Sequence, residues 1–297
     1  MNPDLLSALS SRRLLCDGAM GTQLMLRGLA PGACGEKWNM DRPADVEAIH
    51  RAYRQAGCEL ITSNTFGATS TNLDRHGLGD RAADINRAGA ELACRAAKPG
   101  GWALGDIGPF GGFLEPVGDM SEAVLSDVFK QQVAALYAGG ADAIIVETMS
   151  DPREMKLAIE AAKAMQKDKP VIATYAFGKR ERSFFTMMGN TVEECIGEAI
   201  KAGADVVGAN CGTSLDLNDY LRLAERVVKA VGKTPAIFQP NAGSPQMISG
   251  KLVHPASPAD MAAMASRLIE MGFRIIGGCC GTTPEHLRAM AAAVRQS

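Results

Sequence analysis

Residues 143–153 read Ala-Ile-Ile-Val-Glu-Thr-Met-Ser-Asp-Pro-Arg. The apolar run 143–146 is strand-length, and it breaks into polar residues. Asp151-Pro152 then has the form of an N-cap followed by proline at the first helical position, opening a helical pattern over 153–166. A short apolar run passing through a polar turn into a helix is one strand–helix unit. Outward from this stretch the unit recurs eight times. The apolar runs are 14–16, 59–62, 102–104, 143–146, 171–175, 206–208, 236–238 and 274–276. The helical patterns between and after them cover 44–56, 81–97, 122–138, 153–166, 192–202, 217–231, 258–271 and 284–294. Gly57, Gly139, Gly203 and Gly272 stand where left-handed residues end helices. Ser257-Pro258 repeats the cap seen at Asp151-Pro152.

Strict alternation of strand and helix predicts a parallel sheet, and eight such units predict closure into a single α/β TIM barrel, (β/α)8, over residues 1–297. An open doubly wound sheet is the alternative. It has fewer strands as a rule, and no Gly-x-Gly-x-x-Gly follows the first run. In the barrel the working face lies where strands end. Polar residues and glycines gather there in nearly every unit, and the opposite ends are bland.

Composition narrows the function. Apolar residues make up 46% of 297 residues, enough for a large core, and the net charge of −2 argues against nucleic acid as a partner. Residues 1–20 lack a signal-peptide pattern, and no apolar stretch of ~18 residues suits a membrane span. The expected compartment is the cytoplasm. There the eight cysteines should stay reduced, so clustered ones suggest metal or catalysis before disulfides.

Cys211 follows strand six, and Cys279 and Cys280 follow strand eight, so all three are expected on the catalytic rim. Neighbouring residues of a regular strand point apart. Two adjacent cysteines can meet one ion only through irregular backbone, which Gly277, Gly278 and Gly281 are expected to permit. Three thiolates form an incomplete tetrahedron. Soft ligands favour Zn²⁺, and an open fourth position belongs to a catalytic site. A substrate thiol entering there would be deprotonated by the metal, with no need for a general base. Read on spacing alone, buried cysteines or a redox pair remain alternatives; Cys16, Cys58, Cys94 and Cys195 are expected to be simply buried.

Gly277-Gly-Cys-Cys-Gly-Thr-Thr-Pro-Glu-His286, Gly208-Ala-Asn-Cys211 and Asp17-Gly-Ala-Met-Gly-Thr22 resemble the zinc-dependent homocysteine S-methyltransferase family over nearly the whole chain. The resemblance implies one Zn²⁺ on Cys211, Cys279 and Cys280, with Asn241 near the metal. It implies that Asp17 and Glu147 hold the ammonium group of homocysteine, that amides around Gly18, Ala19 and Met20 face its carboxylate, and that Asn64 lines the pocket. The implied reaction is S-methyl transfer to homocysteine, forming methionine. Two departures touch the mouth: Gly212-Thr-Ser-Leu-Asp216 replaces a usual Gly-Pro-Glu run, and Trp38, expected at the mouth, replaces a common Leu.

The stretches 105–111, 64–67 and 280–286 look most similar to the homocysteine domain of cobalamin-dependent methionine synthase. The chain ends one helix after strand eight. That combination predicts a methyl donor in the form of a methylated corrinoid on a separate protein; the alternative is a small donor, S-methylmethionine or betaine. Asp74-Arg-His-Gly-Leu-Gly79 fits a corrinoid-binding pattern literally, but it lacks the doubly wound domain that pattern needs. Two further readings are a phosphate-binding barrel, which leaves the paired cysteines unexplained, and a zinc- or redox-regulated binding module, which needs four protein ligands.

Overall fold

The computed structural model describes residues 4–181, 183–248 and 251–295. Eight parallel strands form the sheet: Leu14–Leu15 (β1), Leu60–Thr62 (β2), Trp102–Ile107 (β3), Ala143–Met149 (β4), Val171–Tyr175 (β5), Val206–Asn210 (β6), Ala236–Gln239 (β7) and Ile275–Ile276 (β8). Each pairs with its neighbour in sequence, and β8 pairs back onto β1 with Leu14 opposite Ile275. The remaining seam, between β1 and β2, is joined by a parallel bridge from Cys16 to Leu60. There the Glu59 N–H donates to Leu15 O at 2.8 Å and the Asp17 N–H to Leu60 O at 3.0 Å. The sheet is therefore a closed barrel, as the eight alternating units predict.

Alternation along the strands divides the apolar residues in two. Leu14, Leu60, Leu104, Ile145, Ile172, Val206, Ile237 and Ile275 fill the bore. Their neighbours Leu15, Ile61, Ala103, Val146, Ala173, Val207, Phe238 and Ile276 face outward into the layer beneath the helices. Both sets are buried, which is why these strands read as continuous apolar runs rather than alternating ones. A short helix, Leu5–Ser11, caps the floor of the bore with Leu5, Ala8 and Leu9 and is itself capped by Asp4. Its seven residues, about two turns, give too little periodicity to be read from sequence.

Asp151 and Ser257 are N-caps followed by Pro152 and Pro258, and Gly57, Gly203 and Gly272 are left-handed C-caps. Gly139 corrects the expectation. Its backbone is helical (φ −77°), and Gly140 carries the positive φ of 92°. Gly139 serves packing instead: a Cβ there would lie 2.5 Å from Arg87 O and 2.6 Å from the Ala90 Cβ on the neighbouring helix Ala82–Ala97. Strands β3, β4 and β6 run further than their apolar runs, to Ile107, Met149 and Asn210. Two antiparallel hairpins on the catalytic side, Gly178–Arg180 with Ser183–Phe185 and Gln246–Ile248 with Lys251–Val253, lie outside the alternating pattern. Trp38 is buried in the outer core with Arg42 stacked over its ring at 3.8 Å, so it does not line the mouth as expected.

Candidate metal centre

The extra length of β3, β4 and β6 builds the site. Continuing the inward phase of Trp102 and Leu104 brings Asp106 into the bore. Ala143 and Ile145 likewise lead to Glu147, Val206 and Gly208 to Asn210, and Leu60 to Thr62. At the carboxyl end of the barrel the lining thus changes from aliphatic to polar.

Cys211 follows β6 with φ 53°, an uncommon left-handed conformation for a residue with a side chain, and Gly212 continues the turn at φ 114°. The Cys279–Cys280 turn is clamped from two sides. The Gly278 N–H donates to Asp17 O (3.0 Å), the Cys279 N–H to Pro240 O (2.9 Å), and Cys280 O accepts from the Ala242 N–H (2.9 Å). Of the three glycines, only Gly281 has a positive φ (79°); Gly277 and Gly278 are needed for close approach, a Cβ falling 2.9 Å from Cys16 Cβ and 2.6 Å from Thr282 Oγ1 respectively. The three Sγ atoms all lie within 4.8 Å of one another, and those of Cys211 and Cys280 are 3.9 Å apart. Sulfurs at ~2.3 Å from a tetrahedral zinc stand ~3.8 Å apart, so the donor set fits that ion. Its electrostatics fit too. Hydrogen bonds from the other two thiols hold Cys211 well below the usual thiol range, while the same contacts and burial push Cys279 up. A single negative charge is tolerated unaided; three need a cation.

Asn241 lies against this group. Its side chain donates through Nδ2 to Gly212 O at 3.3 Å and helps to lower the Cys211 thiol, and its buried Oδ1 has no partner among the described residues. Asn210 ties the sulfurs to Glu147: Nδ2 donates to Glu147 Oε2 (3.2 Å) and to Thr148 Oγ1 (2.7 Å), 4.0 Å from Cys279 Sγ. Its Oδ1 accepts from the Thr148 N–H and from Thr174 Oγ1, each at 2.9 Å.

Asp17 is buried and accepts from the Thr62 N–H (2.9 Å) and Thr62 Oγ1 (3.0 Å). Burial pushes its carboxyl up to about 7, and burial with the nearby Asp17 charge pushes Glu147 up to about 8. Asp106 is raised as well, by burial and then by the charges of Glu147 and Asp17. Among the described residues, no cationic side chain is a leading cause of the shift at any of the three. Of the expected amides, the Ala19 N–H is already engaged by Thr282 Oγ1 at 3.1 Å; the same hydroxyl donates to Cys279 O at 2.7 Å. Thr282 thereby joins the Gly18–Met20 turn to the cysteine turn. Asn64 directs Nδ2 to Gly35 O (2.9 Å) and Asn39 Oδ1 (3.0 Å), stapling two rim loops together.

Sequence reading missed Asp106, Asn210, Thr62 and Thr282 as site residues. The signal for the first two was present: each continues the period-two phase of its strand, but the strand was ended where its apolar run stopped. Thr282 carries no such signal, since its partners are 263 and three positions away.

Comparison with known proteins agrees with this architecture. A family model described as homocysteine S-methyltransferase matches residues 14–294. The chain is 35% identical over 308 aligned positions to methionine synthase of Mycobacterium tuberculosis and 33% identical to that of Mycobacterium leprae, covering 98% of this chain in each case. It spans about a quarter of the length of these relatives (25%). Among solved structures, the metallated form of the homocysteine methyltransferase MmuM from Escherichia coli superposes with a TM-score of 0.79 at 20% identity, covering 97% of this chain and 99% of that one. A methyltransferase from Methanosarcina mazei follows at a TM-score of 0.60 and 12% identity. At these identities the structures speak for the fold, and it is the family model and the mycobacterial relatives that place the sequence: the chain belongs to the homocysteine S-methyltransferase family.

Proposed function

We propose that this chain binds homocysteine and accepts a methyl group onto its sulfur, releasing methionine. The observation that carries the reading is the placement of three converging thiols beside buried carboxyl groups with no cationic partner among the described residues. Cys211, Cys279 and Cys280 would hold Zn²⁺, with Asn241 beside it. Zinc held there would supply a Lewis acid that lowers the pKa of a coordinated thiol, so that its proton passes to solvent and the sulfur is nucleophilic at neutral pH. Asp17 and Glu147 would receive the ammonium group, and the amides of Gly18 and Met20 the carboxylate, with Ala19 held back by Thr282. Asn64 serves this pocket by fixing the loops that frame it. Methyl transfer to sulfur is a direct displacement, so these residues act by fixing the acceptor in line and excluding competing groups. Thiolate ligands work in reducing surroundings, which makes the cytoplasm the proposed setting. No described helix is long and apolar enough to cross a membrane.

The donor is proposed to be a methylated corrinoid carried by a separate protein. In support, several large apolar side chains stand exposed on the segments that join each strand to the next main helix: Leu26, Phe66, Phe113, Val117, Met187 and Met247. Exposed apolar side chains around the working face are what a large partner would cover. Turnover with homocysteine is to be compared for methylcobalamin or a methylated corrinoid protein against S-methylmethionine and betaine. Efficient use of a small donor, with none of the corrinoid, refutes the donor and leaves the acceptor chemistry standing. Failure with every donor and no homocysteine binding refutes both.

A further inference from the structure

The three carboxyl groups of the pocket are unequally satisfied. Asp17 already receives two donors from Thr62. Glu147 receives one from Asn210. Asp106 is 4% exposed, and its Oδ1 is buried with no hydrogen-bond partner among the described residues. Its main chain is fixed on both sides, the N–H donating to Ser63 Oγ at 3.0 Å and the carbonyl accepting from Thr65 Oγ1 at 2.7 Å. The side chain is therefore held inward from a rigid strand, opposite Ile145 in register and so beside the Glu147 that follows on the same face. Gln239, also inward and 3% exposed, leaves its Oε1 unpartnered as well. Both orphan atoms are acceptors, so what the pocket lacks is donors.

A buried carboxyl group without a donor is costly to the folded chain and persists where a ligand supplies what the protein withholds. An ammonium group brings three N–H donors and a positive charge. We propose that Asp106 is a third and the principal seat of the substrate's ammonium group beside Glu147 and Asp17, with Asp17, already occupied by Thr62, making the weaker contact. This rests on the reading of the acceptor as an α-amino thiol. It assigns amino-acid specificity to a residue that neither the motifs nor the resemblance singled out.

The test uses zinc-loaded protein and calorimetric titration with L-homocysteine and with its deamino analogue, 4-mercaptobutanoate. Asp106→Asn is expected to lower homocysteine affinity tenfold or more and to leave the analogue within twofold. Asp17→Asn is expected to lower homocysteine affinity by less than Asp106→Asn does. The melting temperature supplies a second readout. Without substrate, Asp106→Asn should match or exceed the wild type, because it removes an unpaired buried carboxyl group; a structural role would give a fall. Equal losses for both thiols, a marked drop in melting temperature or failure to fold, or a larger effect at Asp17 each overturns the assignment. A wild-type protein that does not distinguish the two thiols overturns the amino-thiol reading itself. Discrimination retained in Asp106→Asn overturns only the role of Asp106.

Discussion

At Cys211 the chain leaves its strand through a left-handed turn, and that single dihedral swings a sulfur out of the alternating pattern toward the pair on β8's turn. Replacing Cys211, Cys279 or Cys280 with Ala should each remove most of about one equivalent of zinc while far-ultraviolet circular dichroism stays unchanged, since no barrel strand depends on these sulfurs. Full metal retention in all three variants, measured by elemental analysis, would contradict the ligand assignment. Thr282 makes a sharper prediction. Its hydroxyl accepts from Ala19 in the amino-acid turn and donates to Cys279 in the metal turn. Thr282→Val keeps the shape but strips the Ala19 N–H of its acceptor, at roughly 1–3 kcal/mol, and leaves Cys279 O with only the Thr282 N–H at 3.1 Å. Zinc affinity and homocysteine affinity should fall together, and Thr282→Ser should restore both. A loss confined to one of them, by chelator competition and calorimetry, would show that the hydroxyl does not link the two turns.

Among elements, the helix Pro43–Ala56 carries an unexpected burden. His50 is fully buried, both ring nitrogens lack partners among the described residues, and desolvation lowers its pKa to about 4. The unfolded chain, with an ordinary histidine, binds a proton that the folded chain refuses between about pH 6.5 and 4, so stability falls as pH drops through that window. At pH 5 the penalty is about 2 kcal/mol. His50→Leu should raise the melting temperature at pH 5 by more than at pH 8; an equal rise at both would mean the ring is not being refused its proton. The loops after β5 and β7 belong to the proposed docking face for the donor. Met187 and Met247 are 69% and 68% exposed. Changing both to Glu should slow turnover with a corrinoid protein at least tenfold and leave zinc content and homocysteine binding intact. Unchanged turnover would remove these loops from the proposed docking face.

For the molecule as a whole, the barrel and its polar mouth pull stability in opposite directions. Burial raises Asp17 to about 7 and Glu147 to about 8. Both exceed unfolded carboxyl values, so the folded chain binds protons more tightly, and stability is lost as pH rises from about 4 toward 8. Saturating homocysteine, by supplying an ammonium group, should flatten that slope. Thermal unfolding at pH 6 and pH 8, with and without the amino thiol, measures it; an identical slope in both would mean that no cation reaches these carboxyl groups.

The sequence by itself determined the number and order of strand–helix units, because apolar runs and caps are local signals, and hence the closed barrel. It also determined the three sulfurs as a set, because cysteines at strand ends in a parallel barrel share one face. It placed Gly139 and Trp38 wrongly, since the close packing of Gly139 on Arg87 and Ala90 and the burial of Trp38 in the outer core are set by segments distant in the chain. Asp106 and Asn210 lay one alternation beyond the apolar runs, where hydrophobicity stops marking the strand although the backbone continues it. Only the tertiary structure decided which acceptors go unpaired, that Thr282 bridges two turns, and which way Cys211 points. Each of these depends on hydrogen bonds between residues tens to hundreds of positions apart or on one backbone dihedral, and neither leaves a trace in local composition.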